Sequence, residues 1–226
     1  MITPPLFLLL LSAFFVSTEE RSWLTLSNGY VLSAEEGETM KKFFITVVFL
    51  CFLPYPLAAM EIAGVTIDEQ ITQANGTVLK FNGAGIRSKL VIKVYLAMLY
   101  METPSTERDQ VIADSGAKQL IMHFLYKEVD RDALVEAWND GFSSNGSADQ
   151  LGALKTEIAA FNEMFDTVRK GDRIVLDYVP GTGTTVLINS AQKGTIAGKE
   201  FNDLLLSIWL GDKPVNKKLR DGLLGK

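Results

Sequence analysis

The segment 86–101 reads IRSKLVIKVYLAMLYM, with no glycine or proline anywhere in it. Its β-branched and aromatic residues predict one long strand, ended by Pro104. On one face stand Ile86, Ser88, Leu90, Ile92, Val94, Leu96, Met98 and Tyr100, almost wholly apolar. The other face begins Arg87, Lys89, Val91, Lys93, Tyr95 and finishes with Ala97 and Leu99. A strand that becomes apolar on both faces is covered on both sides, so this one belongs inside a sheet. Lysines there can send their ammonium groups to water along apolar stems, but an arginine needs a partner or a purpose.

The rest of the chain fills in around that strand. Glu61–Ile67 is a short strand, and Asn75-Gly76 marks a turn before Thr77–Phe81, which alternates as a half-buried strand does. Gly83-Ala84-Gly85 then predicts a bulge or tight bend. Lys118–Tyr126 is another strand, with Leu120, Met122 and Phe124 on one face and His123 on the other. Asp130 caps a helix running to about Asp140. After a Ser143-Ser144-Asn145-Gly146 linker, a longer helix spans 149–169, with the stripe Leu154, Ile158, Phe161, Phe165 and Val168 closed by Gly171. Arg173–Val179 and Thr184–Asn189 form a hairpin across Pro180–Gly183, and helices at 198–210 and 214–224 end the chain. Strands first and helices later give an α+β fold: a large antiparallel sheet covered on one face by a layer of helices.

The first 59 residues stand apart from this domain. Met40-Lys41-Lys42, an apolar run over 43–53, and Pro54-Tyr55-Pro56-Leu57-Ala58-Ala59 together make a secretory signal peptide cleaved after Ala59 or one residue earlier. Residues 1–39 then form an upstream extension, 40–59 the signal peptide and 60–226 the mature domain. Cys51 is an apolar filler of the signal, which leaves the mature domain without cysteine and dependent on its core alone. These features predict a bacterial periplasmic protein.

Composition excludes several chemistries. Twenty-seven acidic side chains against 22 basic, a net of −5, leave no basic footprint for nucleic acid. A single histidine and a single cysteine cannot build a Cys/His metal site. His123 lies mid-strand with no serine elbow elsewhere. Gly181-Thr182-Gly183 lacks the Gly-Lys-Ser/Thr of a phosphate loop, and Asp130, Asp132 and Asp140 are explained by capping and solvation. No cofactor, metal or stable membrane insertion of the mature domain is expected, and the sequence fixes no oligomeric state. Arg87 remains: a guanidinium beside a tyrosine hydroxyl makes a receptor for a carboxylate. An edge-strand arginine paired with a surface acid would satisfy the same residues.

Phe81-Asn82-Gly83-Ala84-Gly85-Ile86-Arg87-Ser88-Lys89, then Lys93-Val94-Tyr95 and Leu99-Tyr100, resembles the amino-terminal signature of chalcone isomerase-like proteins, in particular their bacterial exported branch. Ile196–Phe201 through Ser207–Pro214, with Leu223-Leu224-Gly225, resembles the family's closing motif. The resemblance implies an open-faced β-sandwich with a ligand cleft between sheet and helices. It implies Arg87 facing that cleft and, as in the family's non-enzymatic fatty-acid binders, Tyr95 beside it at the carboxylate. The family's enzymes carry a tyrosine and, seven residues later, an asparagine. Here Asp132 stands seven before Asn139 and Ala133 seven after Tyr126. Ile208 occupies the place of their small hydroxyl residue, with Ser207 adjacent.

The expected function is therefore non-catalytic binding of a fatty acid or similar apolar carboxylate by Arg87 and Tyr95. The alternatives are a chalcone-type isomerase (an intramolecular lyase) and a structural partner protein with a collapsed cleft. One conflict stands between the two lines of reading. Eight residues of straight strand would hold Arg87 and Tyr95 about 26 Å apart, and Leu90-Val91-Ile92 shows no turn chemistry.

Overall fold

A computed structural model describes residues 60–226 and, ahead of them, the backbone of three strands: β1 (Phe14–Thr18), β2 (Arg21–Thr25) and β3 (Val31–Ser33). These pair antiparallel in the order β1-β2-β3, inside a unit, Met1–Ala58, that is separate from Ala59–Lys226. The signal-peptide segment 40–59, Cys51 and the remainder of 1–39 lie outside the described residues.

In the second unit β4 (Met60–Ile62) and β5 (Val65–Ile67) form a hairpin. The sequence reading had one strand there; Ala63 and Gly64 take φ of 54° and 81° and reverse the chain between its halves. Next come β6 (Gln70–Thr72), β7 (Val78–Lys89) and β8 (Ile92–Met101). The expected single strand over 86–101 is therefore two. A two-residue turn at Leu90-Val91 folds β8 back onto β7, with Lys89 opposite Ile92. Leu90 adopts φ 56°, a left-handed conformation costing a leucine about 1–2 kcal/mol. Pairing the backbone groups along two long strands outweighs that local cost. Turn propensity alone misses it because the reversal is specified by what pairs, not by the residues that turn.

After α1 (Arg108–Ala113) the chain forms β9 (Lys118–Phe124), β10 (Glu128–Val129), α2 (Arg131–Asn145), α3 (Ala148–Ala153) and α4 (Lys155–Asn162). It continues through β11 (Val168–Arg169), β12 (Arg173–Val179), β13 (Gly183–Ile188), β14 (Ala191–Ile196), α5 (Lys199–Leu210) and α6 (Lys217–Leu223). Asp130 caps α2 as expected, its carboxylate accepting from the Ala133 amide at 3.0 Å. The helix runs on through the expected linker to Asn145. The helix expected over 149–169 is instead α3, α4 and a short strand. Phe161, Phe165 and Val168 are still buried, but Val168 reaches the core by pairing with Val129 across β10–β11. A helical stripe and such a detour bury the same residues, so periodicity cannot separate them. Gly171, expected at a helix end, takes φ 95° in the turn before β12.

One seven-stranded antiparallel sheet, ordered β14-β13-β12-β9-β8-β7-β6, carries the domain. Its helix-covered face buries Ala97, Leu99, Leu120, Met122 and Phe124 against Trp138, Phe161, Phe201 and Trp209. The opposite face buries Leu96, Met98, Tyr100 and Ile121 against Ile67 and Leu79, with Ile62 and Val65 of the β4–β5 hairpin packed alongside. Thus β8 is covered on both faces.

The glycines of β7 serve close approach. A Cβ on Gly85 would stand 2.8 Å from the Leu219 carbonyl oxygen, and one on Gly83 would collide with the Gly222 carbonyl, so α6 rests its backbone directly on the strand. Between them and Phe81 the ladder bulges at Asn82, whose amide donates to the Leu223 carbonyl at 2.7 Å.

Burial also fixes how the fold responds to alkali. Tyr100 is pushed up to about 12, and the Tyr95 and Tyr178 hydroxyls are also raised, in each case mainly by burial. In the unfolded chain these groups ionise near 10, so the folded state holds their protons longer and loses stability as pH rises past that point. The urea midpoint is expected to fall steadily between about pH 10 and 12. A midpoint rising across that window would contradict these assignments.

Candidate functional site

The turn at Leu90-Val91 solves the distance problem in the sequence: Arg87 and Tyr95 are directly opposite one another in the β7–β8 ladder. A second bulge follows at once. Arg87 pairs with Tyr95 and Ser88 with Lys93, so Val94 has no counterpart. Bulging lets two consecutive residues face the same way, and Val94 and Tyr95 both enter the core beneath the helices. The freed Val94 carbonyl accepts from the amides of Leu125 at 2.9 Å and Tyr126 at 3.1 Å.

The Arg87 guanidinium carbon lies 5.8 Å from the centroid of the Tyr95 ring, within cation–π range. Tyr95 is 5% exposed, and its hydroxyl oxygen accepts from Trp209 Nε1 at 2.9 Å. Burial raises its pKa, opposed by Arg87 and the Trp209 bond, so the hydroxyl keeps its proton at neutral pH and can donate it. Trp138 packs edge-on to Trp209 with centroids 5.7 Å apart, and its buried Nε1 has no hydrogen-bond partner among the described residues. A buried N–H without a partner costs about 1–3 kcal/mol.

Two cavities meet at these side chains. An inner one of about 50 Å³ is enclosed by Arg87, Tyr95, Trp138, Ile208 and apolar neighbours. An outer groove of about 680 Å³ runs along α2 past Ala133, Ala137 and Gly141, the last of which lets α5 approach closely, since a Cβ there would stand 2.8 Å from the Ile208 side chain. Arg87 lines both, and so stands at the throat between them. The groove's size falls in the usual range for small-molecule sites, whereas the inner cavity has room for water. Four acids also line the groove: Glu128 is engaged by Arg169 at 2.9 Å and Asp130 by its capping bond, while Glu136 and Asp140 on α2 have no ion pair among the described residues. Arg87 forms no ion pair with a carboxylate among the described residues. Among the described residues, then, its partner is not the surface acid that the sequence also allowed.

The other sequence candidates lie elsewhere. His123 is on the sheet face away from the helices, paired in register with Leu96 and Arg173, and burial holds its pKa below the ordinary value. Asn139 bonds Asn162 at 2.9 Å, not the groove. Tyr126 and Ala133 line the groove, Ile208 the inner cavity, and the Ser207 hydroxyl donates to the Leu204 carbonyl. Gly181-Thr182-Gly183 turns the β12–β13 hairpin. Among the described residues no cluster of three metal-binding side chains occurs, and no helix is long and apolar enough to cross a membrane. Sequence reasoning missed Trp138 and Trp209 as donors; their indole N–H groups gave no periodic signal. The Ala133-Ala137-Gly141 spacing was legible as a small-residue face, once the helix was known to continue past Asp140.

Taken together, this is a sheet-and-helix cleft with Arg87 at its throat and Tyr95 and Trp138 in the wall of its inner cavity. Such a set suits an oxygen-rich, anionic group at the end of an apolar body. A family model described as chalcone isomerase-like matches residues 59–225, and the chain belongs to that family. Among solved structures it is similar in fold to a fatty-acid binding protein of Arabidopsis thaliana, with a TM-score of 0.57 at 16% identity. That match covers 74% of this chain and 95% of the plant protein. No curated protein matches the chain.

Proposed function

We propose that this chain binds a fatty acid or a similar apolar carboxylate without transforming it, and that the signal-peptide pattern at 40–59 delivers it to the periplasm. One observation carries the binding reading: Arg87, unmatched by any described carboxylate, stands at the throat of a groove, with Tyr95 and Trp138 in the wall of the cavity behind it. The carboxylate would take the guanidinium's paired N–H groups and the Tyr95 hydroxyl. The chain would lie outward in the groove, over Ala133, Ala137 and Gly141. The family membership and the fatty-acid binding neighbour support the same reading.

A second reading is favoured by the inner cavity. At about 50 Å³ it is far too small for an acyl chain, as in a partner protein with a closed cleft. Titrating the purified protein with a fluorescent fatty acid separates the two. Saturable one-to-one binding, reversed by an unlabelled long-chain saturated acid, is expected. A signal that never saturates would leave the closed-cleft reading standing.

A further inference from the structure

Leu90 and Val91 are each 95% exposed, about twice any other large hydrophobic residue among those described; Val78 is next at 47%. They are adjacent, they form the two-residue turn of the longest hairpin in the sheet, and Ile92 beside them is 43% exposed. Neither takes part in either core cluster. A turn with positive φ at its first residue alone favours glycine there, yet Leu90 occupies the place at φ 56°. The chain therefore bears backbone strain to keep a bulky aliphatic group where it contributes nothing to the fold. Strain held at an exposed position points toward function.

Cations gather around this tip in a chain whose net charge is −5. Lys89 and Lys93 flank it on the two strands, and Lys89 and Ile92 belong to the lining of the Arg87 groove. On the hairpin's other side, a groove of about 930 Å³ is lined by Lys93, Lys218, Arg220 and Lys226, with Asp221 its one acid. Asp221 pairs with Arg220 at 2.9 Å and Lys226 reaches Glu107 at 3.8 Å, which leaves Lys93 and Lys218 as the groove's cations without an ion pair among the described residues.

We propose that the β7–β8 hairpin is a membrane-docking element: Leu90 and Val91 enter the boundary between headgroups and acyl chains of an anionic bilayer, while Lys89, Lys93 and the basic groove hold headgroup phosphates. Projecting aliphatic side chains ringed by lysines match the two layers of that interface, apolar below and anionic above. A two-residue tip presents far less than the roughly 1,000 Å² that a specific protein interface buries. The docking stands without the carboxylate reading, although it would set the mouth of the Arg87 groove against the lipid.

Hydrogen exchange of the full chain, with and without vesicles, tests it locally. Vesicles of mixed phosphatidylcholine and phosphatidylglycerol are expected to slow exchange in the peptide 86–94, and phosphatidylcholine alone to do so much less. L90G/V91S relieves the strained turn, so its Tm should stay the same or rise, while affinity for the mixed vesicles falls about tenfold. Three results would overturn the proposal: no slowing in 86–94 with mixed vesicles, equal vesicle affinity of the variant, or slowing that grows with protein concentration when no vesicles are present. The last would mark the tip as a contact between copies of the chain. None of these outcomes depends on whether a fatty acid binds at Arg87.

Discussion

Arg87→Met is expected to weaken binding of a long-chain fatty acid by about 100-fold while leaving the fold intact, equivalent to roughly 2.7 kcal/mol. Charge-assisted bonds to a carboxylate reach this size when the site is partly shielded from water. Arg87 is half-buried and stands at the throat of the groove, which is that situation. The Tyr95 hydroxyl and Trp138 N–H remain in the variant, so some affinity survives, with the acyl chain's burial unchanged. Arg87→Lys should recover only part of the loss, because an ammonium cannot present two parallel donors. Displacement titrations on the three proteins measure this. Equal affinities would show that the carboxylate is held elsewhere.

The second large effect falls on stability. Trp209 is the largest fully buried side chain, at 0% exposure in the last turn of α5. Its ring packs edge-on to Trp138 at 5.7 Å, and its N–H supplies the hydrogen bond at 2.9 Å to the Tyr95 hydroxyl. Trp209→Ala should cost about 3–5 kcal/mol, the range for emptying a large aromatic site in a core. The vacancy would open beside the inner cavity, and the Tyr95 hydroxyl would lose its one described donor. Trp209→Phe fills most of the space but still strands that hydroxyl, and should cost less. Urea unfolding gives both numbers, and a loss below about 1 kcal/mol for the alanine variant would mean that α5 is not packed as described.

Much of this architecture could be read from residue patterns. The doubly apolar end of β8, the Asp130 cap and the late gathering of helices all follow from side-chain periodicity and capping chemistry, which act over a few residues. What escaped was decided by partners far away in sequence. The β7–β8 reversal has no turn residues to announce it, and β14 is an edge strand, mostly exposed up to its buried Ile196, that β13 recruits through Asn189 and Ser190, both at positive φ. Val168 reads as the end of a helical stripe but pairs as a strand with Val129. The same holds for the site. Arg87 and Tyr95 could be nominated from the chain, but only the unannounced hairpin makes them neighbours; the Trp138 indole beside them in the inner cavity comes from α2, and the indole that bonds the Tyr95 hydroxyl from α5.

Calorimetric titration of the wild-type protein with a long-chain fatty acid and with the alcohol of equal length isolates the head group, since the two differ only at the end that Arg87 would hold. The acid should bind at least tenfold more tightly at neutral pH, with the advantage shrinking as salt is added. Equal binding of the two, or preference for the alcohol, would contradict the account at its centre.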